Sequence, residues 1–140
     1  MAWIVTNKGD QDCRRLADRH YTRQKPGNKQ FCRPGHNLVL RTPEGDAVWV
    51  TWRGIRDDGQ DAWECTIFRN ESQHLSSDLI RKAVEITLRE WGAPPPGGLI
   101  TYVQEARIAS ANPGFCFKRA GWKTDGRSKR RSYLRLRLSA

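Results

Sequence analysis

Residues 61–91, DAWECTIFRNESQHLSSDLIRKAVEITLREW, constrain the fold more tightly than any other stretch. They read as a strand rich in β-branched and aromatic residues (Trp63, Thr66, Ile67, Phe68), a polar turn and an amphipathic helix. Ile80, Ala83, Val84, Thr87, Leu88 and Trp91 recur at helical spacing, Ser76 or Ser77 supplies the N-cap, and Asp78 sits in the first turn. Gly92 stops the helix, and Pro94, Pro95 and Pro96 make continuation impossible. A strand that runs directly into a helix start lines up free N–H groups where the macrodipole favours an anion such as a pyrophosphate. Most units of this kind bind nothing, and Asp78 competes for the same dipole, so an anion site at Ser76 and Ser77 stands as an expectation.

The charge of the chain is segregated. Its net +10 is concentrated in two segments: residues 14–33 carry seven Lys/Arg against one acid, and residues 118–137 carry nine against one. The remaining hundred residues are net negative. Such clustering points to a polyanion surface, nucleic acid being the commonest partner, because phosphate neutralisation needs many cations on one face. The cations expected to make that contact are Arg19, Arg23, Lys25, Lys29 and Arg33 in the first segment and Arg127, Lys129, Arg130 and Arg131 in the second. A generally soluble basic protein is the plainer alternative.

At 140 residues the chain forms one domain with a sizeable core. No apolar run has the length of a membrane span and nothing resembles a signal peptide, so the expectation is an intracellular, cytoplasmic protein with no membrane partner. Cys13, Cys32, Cys65 and Cys116 lack close C-x-x-C spacing, as expected of reduced thiols. Cys13, His20, Cys32 and His36 do form a Cys/His group, but its spacings miss the usual structural-zinc patterns, and core thiols with a hydrogen-bonded histidine explain it better.

Along the chain, residues 3–6 read as a short strand, and GDQDCRRLADRHY reads as a helix capped at Asp10 with Cys13, Leu16 and Ala17 at core spacing. A basic loop with Pro26, Gly27, Pro34 and Gly35 follows, in which Phe31 among the cations suits base stacking beside backbone contact. Residues 37–42 and 47–53 form a hairpin, the second strand covered on both faces, and GIRDDGQD is an acidic, solvated loop. After the prolines, residues 98–103 form a buried strand and residues 111–121 a short helix opening at Asn112-Pro113. DGRSKRR is a flexible cationic loop suited to clamp phosphate. In the final strand Leu134, Leu136 and Leu138 turn inward while Tyr133, Arg135 and Arg137 turn outward.

The resulting order, β-α-β-β-β-α-β-α-β, is an α+β (α/β) arrangement with a central mixed, mostly antiparallel twisted sheet flanked by helices. Together with the late segment GFCFKRAGW it resembles the GCN5-related N-acetyltransferase (GNAT) fold, and within that superfamily the Mom-type phage DNA-modification proteins. The segments that carry the resemblance are RHYTRQKP (residues 19–26), ECTIFRNES with its serine-led helix (64–80), ITYV (100–103) and NPGFCFKRAGW (112–122). The resemblance implies a single acyltransferase domain over residues 1–140 that uses acetyl-CoA or a related acyl-CoA to modify a nucleobase amine of double-stranded DNA. In the Mom-type case this is adenine N6, converted to a carbamoylmethyl-type group that blocks restriction endonucleases; simple acyl transfer does not complete that chemistry. A target edge inside a duplex would require base flipping or groove widening.

The same resemblance assigns roles. Backbone N–H groups of Ile67, Phe68 and Arg69 would polarise the thioester carbonyl, while Ser76, Ser77 and Phe117 would complete the cofactor site. The superfamily's glycine-rich pyrophosphate loop is here Gln73-His74-Leu75-Ser76-Ser77-Asp78, and its tyrosine acid falls on Phe117, which cannot donate a proton. Tyr102, Tyr21 and Cys116 remain as candidate acids and His20, Glu64 or Glu71 as candidate bases, with His20 and Tyr21 preferred because the resemblance is concentrated there. Two other functions fit the same fold: a protein or small-molecule N-acetyltransferase, and a DNA-binding module that has lost catalysis.

Overall fold

The computed structural model describes residues 2–19, 31–104, 114–129 and 131–140. Its elements are β1 (Ile4–Val5), α1 (Gln11–Asp18), β2 (His36–Arg41), β3 (Ala47–Arg53), β4 (Trp63–Asn70), α2 (Ser76–Trp91), β5 (Leu99–Val103), α3 (Phe115–Arg119), β6 (Lys123–Arg127) and β7 (Leu134–Leu138). The strands form one seven-stranded sheet in the order β1-β2-β3-β4-β5-β7-β6. Neighbours are antiparallel except β4 and β5, which run parallel because α2 carries the chain across one face between them. This is an α+β architecture with a mixed, mostly antiparallel sheet, consistent with a GNAT-like fold.

Alternation along β3 shows how the layers form. Ala47 and Trp49 join a core with α2 and α3, whereas Val48 and Val50 join a second core with α1. All six residues from Ala47 to Trp52 are buried, as expected of a central strand. On the α2 side Trp49 packs against Phe68, Phe117 and Trp122 with centroids 5.8, 6.1 and 6.4 Å away. Its indole N–H donates to Thr51 Oγ1 (2.7 Å), which lies 3.0 Å from Thr87 Oγ1, and Thr87 donates to the Ala83 carbonyl (2.8 Å). This chain of bonds pairs the Trp49, Thr51 and Thr87 side chains buried under α2.

α1 starts where its pattern indicates: Asp10 accepts from the Cys13 N–H at 3.0 Å, and Cys13, Leu16 and Ala17 are buried. α2 ends at Gly92 with φ 80°. Its start differs from the expectation, for the N-cap is Leu75 and no side chain caps it. Asn70 explains why: its Nδ2 donates to the His74 carbonyl (2.8 Å) and Ser76 Oγ (2.9 Å), drawing that hydroxyl into the turn rather than onto the helix N–H groups. The buried face of α2 also includes Leu79 and Ile86, while Leu88 is 39% exposed and Trp91 lies only partly covered against Trp63.

The C-terminal third departs most from the sequence reading. Residues 123–127 form β6, an edge strand paired with β7, so the first part of the expected loop DGRSKRR is strand. Without apolar residues KTDGR carries no strand signal; pairing with β7 and the ion pairs of Asp125 hold it. α3 starts at Phe115, later than expected, because Gly114 turns the chain with φ 75° where a Cβ would lie 2.4 Å from Leu136 Cδ1. In β7 Leu136 is fully buried, but Leu134 and Leu138 are only half-buried because the β6 edge is thinly covered.

All four cysteines are free thiols, and burial pushes the Cys13, Cys65 and Cys116 thiols up. Among the described residues no helix is long and apolar enough to cross a membrane. Leu136→Ala is expected to destabilise the fold by about 2–5 kcal/mol in urea unfolding, and Leu88→Ala by about 1 kcal/mol or less. Equal losses would contradict the facing assigned to β7.

Candidate functional site

α1 covers only part of its face of the sheet. Beyond it, the same face of β4, β5 and β7 carries Glu64, Tyr102 and Arg135, which with the loop after β3 enclose a cleft of about 820 Å³. Polar residues hold this half of the sheet where apolar residues hold the other.

Trp52, 3% exposed, forms one wall. Its indole is fixed by a bond from Nε1 to the Pro34 carbonyl (2.8 Å) and by two glycines whose missing side chains make room for it. A Cβ on Gly54 would stand 2.6 Å from Trp52 Cζ2, and one on Gly35 2.7 Å from Nε1. Arg33 and Arg56 place their guanidinium carbons 4.3 and 5.4 Å from the Trp52 ring centroid. Both then converge on Glu64, which is only 5% exposed. Arg33 donates to both carboxylate oxygens (3.2 and 3.3 Å), and Arg56 Nη1 donates to Oε1 (2.9 Å). A buried carboxylate engaged by three guanidinium N–H groups is a charged anchor.

Arg56 also donates to both oxygens of Asp58, at 3.0 and 2.5 Å. Those bonds outweigh partial desolvation and bring the Asp58 carboxyl down to about 2. Burial opposes the charge of Arg56, but Asp58 and Glu64 overcome it and keep the guanidinium protonated. The Tyr102 hydroxyl lies 3.5 Å from Asp58 Oδ2 and is also hydrogen-bonded to Arg135. Arg135 and Arg137 both reach Asp125 on β6, at 3.0 and 2.6 Å. One connected set of polar and charged groups thus crosses four strands of the sheet, β4, β5, β7 and β6. The loop GIRDDGQD is therefore not simply solvated: the Arg56 side chain is 11% exposed and organises the cleft.

A second feature lies in the plane of the sheet. The β3–β4 register passes from Val50↔Ile67 to Thr51↔Cys65, leaving Thr66 as the extra residue of a bulge. The parallel ladder between β4 and β5 ends at that point, with Cys65↔Thr101 its last pair. Beyond it β4 runs on to Asn70 and leads into the mouth of α2. There Asp78 is turned outward onto Arg81 (3.1 Å), and buried Ser77 has a hydroxyl with no hydrogen-bond partner among the described residues.

Five of the residues singled out in the sequence line the one cleft: Arg33, Glu64, Tyr102, Arg127 and Lys129. Arg131 lies over the Tyr133 ring, its guanidinium carbon 6.0 Å from the centroid. Arg19 is elsewhere, at the end of α1, paired with Glu71, which also binds Arg69 (2.7 Å). Hydrogen bonds from Arg19 and then Arg69 hold the Glu71 carboxyl below its usual range, making it a poorer proton acceptor. The Ile67 side chain is in the α1 core, and Phe68 and Phe117 stack edge-to-face at 5.8 Å on the opposite side of the sheet. Ser76 and Ser77 stand in the first turn of α2. His20, Tyr21, Arg23, Lys25, Lys29 and Arg130 lie outside the described residues. The sequence reading missed Trp52, Arg56, Asp58 and Ile55 as cleft residues; the signal available was an arginine among acids beside a Trp-x-Gly turn.

Asp58 has a lowered carboxyl, so its contribution to stability is present above the unfolded value of 3.8 and is lost as pH falls toward about 2. Asp58→Asn is expected to cost about 1 kcal/mol in urea unfolding at pH 7, with the gap to wild type closing between about pH 4 and pH 2. A gap that persists unchanged to pH 2 would contradict the Arg56–Asp58 pairing. Comparison of the chain with protein-family models, with curated proteins and with solved structures finds no match in any of the three.

Proposed function

We propose that this chain is a GNAT-type acyltransferase that modifies double-stranded DNA, drawing on acetyl-CoA or a related acyl-CoA to acylate a nucleobase amine, adenine N6 in the Mom-like case. The observation that carries the reading is that β4 borders two unlike sites at once. On one face it presents Glu64 in a cleft with cationic walls; in the sheet plane it bulges at Thr66 where β5 parts from it, and it then feeds the mouth of α2. With a rise of about 3.3 Å per residue, Glu64 and Asn70 are roughly 20 Å apart, so a ligand anchored at the helix mouth must reach the cleft through an extended arm.

The residues at the mouth fit the anionic end of such a cofactor. No side chain caps the first-turn N–H groups of α2, Asp78 is paired away from them, and Ser77 offers an orphaned buried hydroxyl. Acyl-CoA would supply an acyl carbon already activated as a thioester. The chain's part is then to orient and to move protons. On β4 the N–H of Phe68 faces away from β3 and is the donor available to a developing oxyanion, while those of Ile67 and Arg69 face β3, in the register continued by the bond from the Glu71 N–H to the Asp46 carbonyl. Glu64 is committed to holding Arg33 and Arg56, which leaves the role of base to His20. The Tyr102 hydroxyl, held by Asp58 and Arg135, is the proton donor inside the cleft. DNA and acyl-CoA meet in the bacterial cytoplasm, where such a protein, phage-encoded in the Mom-like case, would shield DNA from restriction.

One observation favours a second reading. Phe117 has no hydroxyl and is packed against Trp122 (5.0 Å) and Phe68, as in a DNA-binding module without turnover. Calorimetry separates the two: saturable heat with acetyl-CoA is expected, weakened tenfold or more in Ser77→Asp, and no heat at millimolar ligand would leave only the binding module. For a protein or small-molecule substrate, duplex binding should be weak and indifferent to salt. A DNA enzyme should instead lose affinity steeply between about 50 and about 200 mM salt, with Lys129→Ala lowering the log–log slope by about 0.9.

A further inference from the structure

We propose that Ile55 is a wedge that enters duplex DNA in place of a nucleobase drawn out into the cleft; this rests on DNA being the substrate. Ile55 is 100% exposed, against 39–59% for the other exposed large hydrophobic residues among those described. It nevertheless lines the cationic cleft. An isolated apolar residue on a surface ordinarily needs no explanation, but the setting of this one is specific.

The tip is held rigidly from both sides. Gly54 packs so closely on the Trp52 indole that a Cβ there would stand 2.6 Å away, and Arg56 is bound to both Asp58 and Glu64. Neither neighbour can retreat into solvent without breaking buried contacts, so Ile55 projects from a fixed platform rather than from a loose loop. Arg127 and Lys129 line the same cleft, cations that would hold the phosphates on either side of a disrupted step.

The cleft fits what the wedge would displace. Its volume of about 820 Å³ falls within the roughly 300–1,000 Å³ of small-molecule sites. It combines the Trp52 and Tyr102 rings with two acceptors that carry one hydrogen bond each, Glu64 Oε2 from Arg33 and Gln60 Oε1 from Arg137, and so keep a lone pair for an amine-bearing base edge. Apolar side chains inserted between base steps offset the lost stacking, and Ile is among those used for it. Asp57, two residues on, lines the same cleft, and its carboxylate would be repelled by phosphate, which disfavours a path of the backbone over the tip.

The test uses the full chain and two duplexes of identical sequence, one fully paired and one with a single mismatched pair, titrated by fluorescence anisotropy at several salt concentrations. Wild type is expected to bind the mismatched duplex about tenfold tighter, because extrusion costs less there. Ile55→Ala should weaken binding to the paired duplex about tenfold with an unchanged melting temperature and salt slope, and Ile55→Leu should restore it to within a factor of about two. Equal wild-type affinity for the two duplexes, or Ile55→Ala binding the paired duplex as wild type does, overturns the wedge and leaves DNA binding standing. Salt-dependent binding to neither duplex overturns the DNA reading and the wedge with it.

Discussion

β4 is hydrogen-bonded to neighbours of opposite sense, antiparallel to β3 over its length and parallel to β5 for three residue pairs only. That mismatch governs the rest of the molecule. α2 must lie on one face to bring β5 back parallel, which commits Trp49, Trp63, Cys65 and Phe68 to the core beneath it. The Thr66 bulge bends the strand where its second partner leaves, so a sheet continuous at Cys65 is parted by Ile67. The same strand ends at a helix start that no side chain caps, the feature on which the proposed acyl-donor site rests.

The open half of the opposite face follows from charge. Burying Glu64 alone would be costly, and truncating one partner of a buried ion pair typically costs about 3–5 kcal/mol, so Arg56 is a structural residue, with the more exposed Arg33 a weaker second partner. Their pairing also tempers the cationic segments. Arg135 and Arg137 are drawn onto Asp125, and Arg19 onto Glu71, while Arg127 and Lys129 line the cleft rim. Among the described residues, the cationic segments thus divide between internal clamps and side chains that line one cleft.

Elements whose signal is local were legible in the sequence. The Asp10 cap, the Gly92 stop, the bounds of β3 and the alternation of β7 about Leu136 follow from neighbours within a few residues. What was not legible depends on partners far along the chain. KTDGR becomes a strand because it pairs with β7 and because Asp125 meets two arginines ten and twelve residues later. Ser76 fails to cap because Asn70 claims its hydroxyl. GIRDDGQD looks solvated until Glu64 and Trp52 are placed beside Arg56. Of the expected site residues, Arg33, Glu64, Tyr102, Arg127 and Lys129 do share one cleft, although more than ninety residues separate the first from the last. No periodicity carries that information.

The central claim is that one strand joins an acyl-donor site to a nucleobase cleft, and its most direct test is mass spectrometry of nucleosides from plasmid DNA recovered from cells co-expressing the chain. The expected result is an adenine nucleoside of increased mass, absent when Ser77 is replaced by Asp. Unmodified nucleosides accompanied by newly acetylated lysines in cellular protein would contradict it.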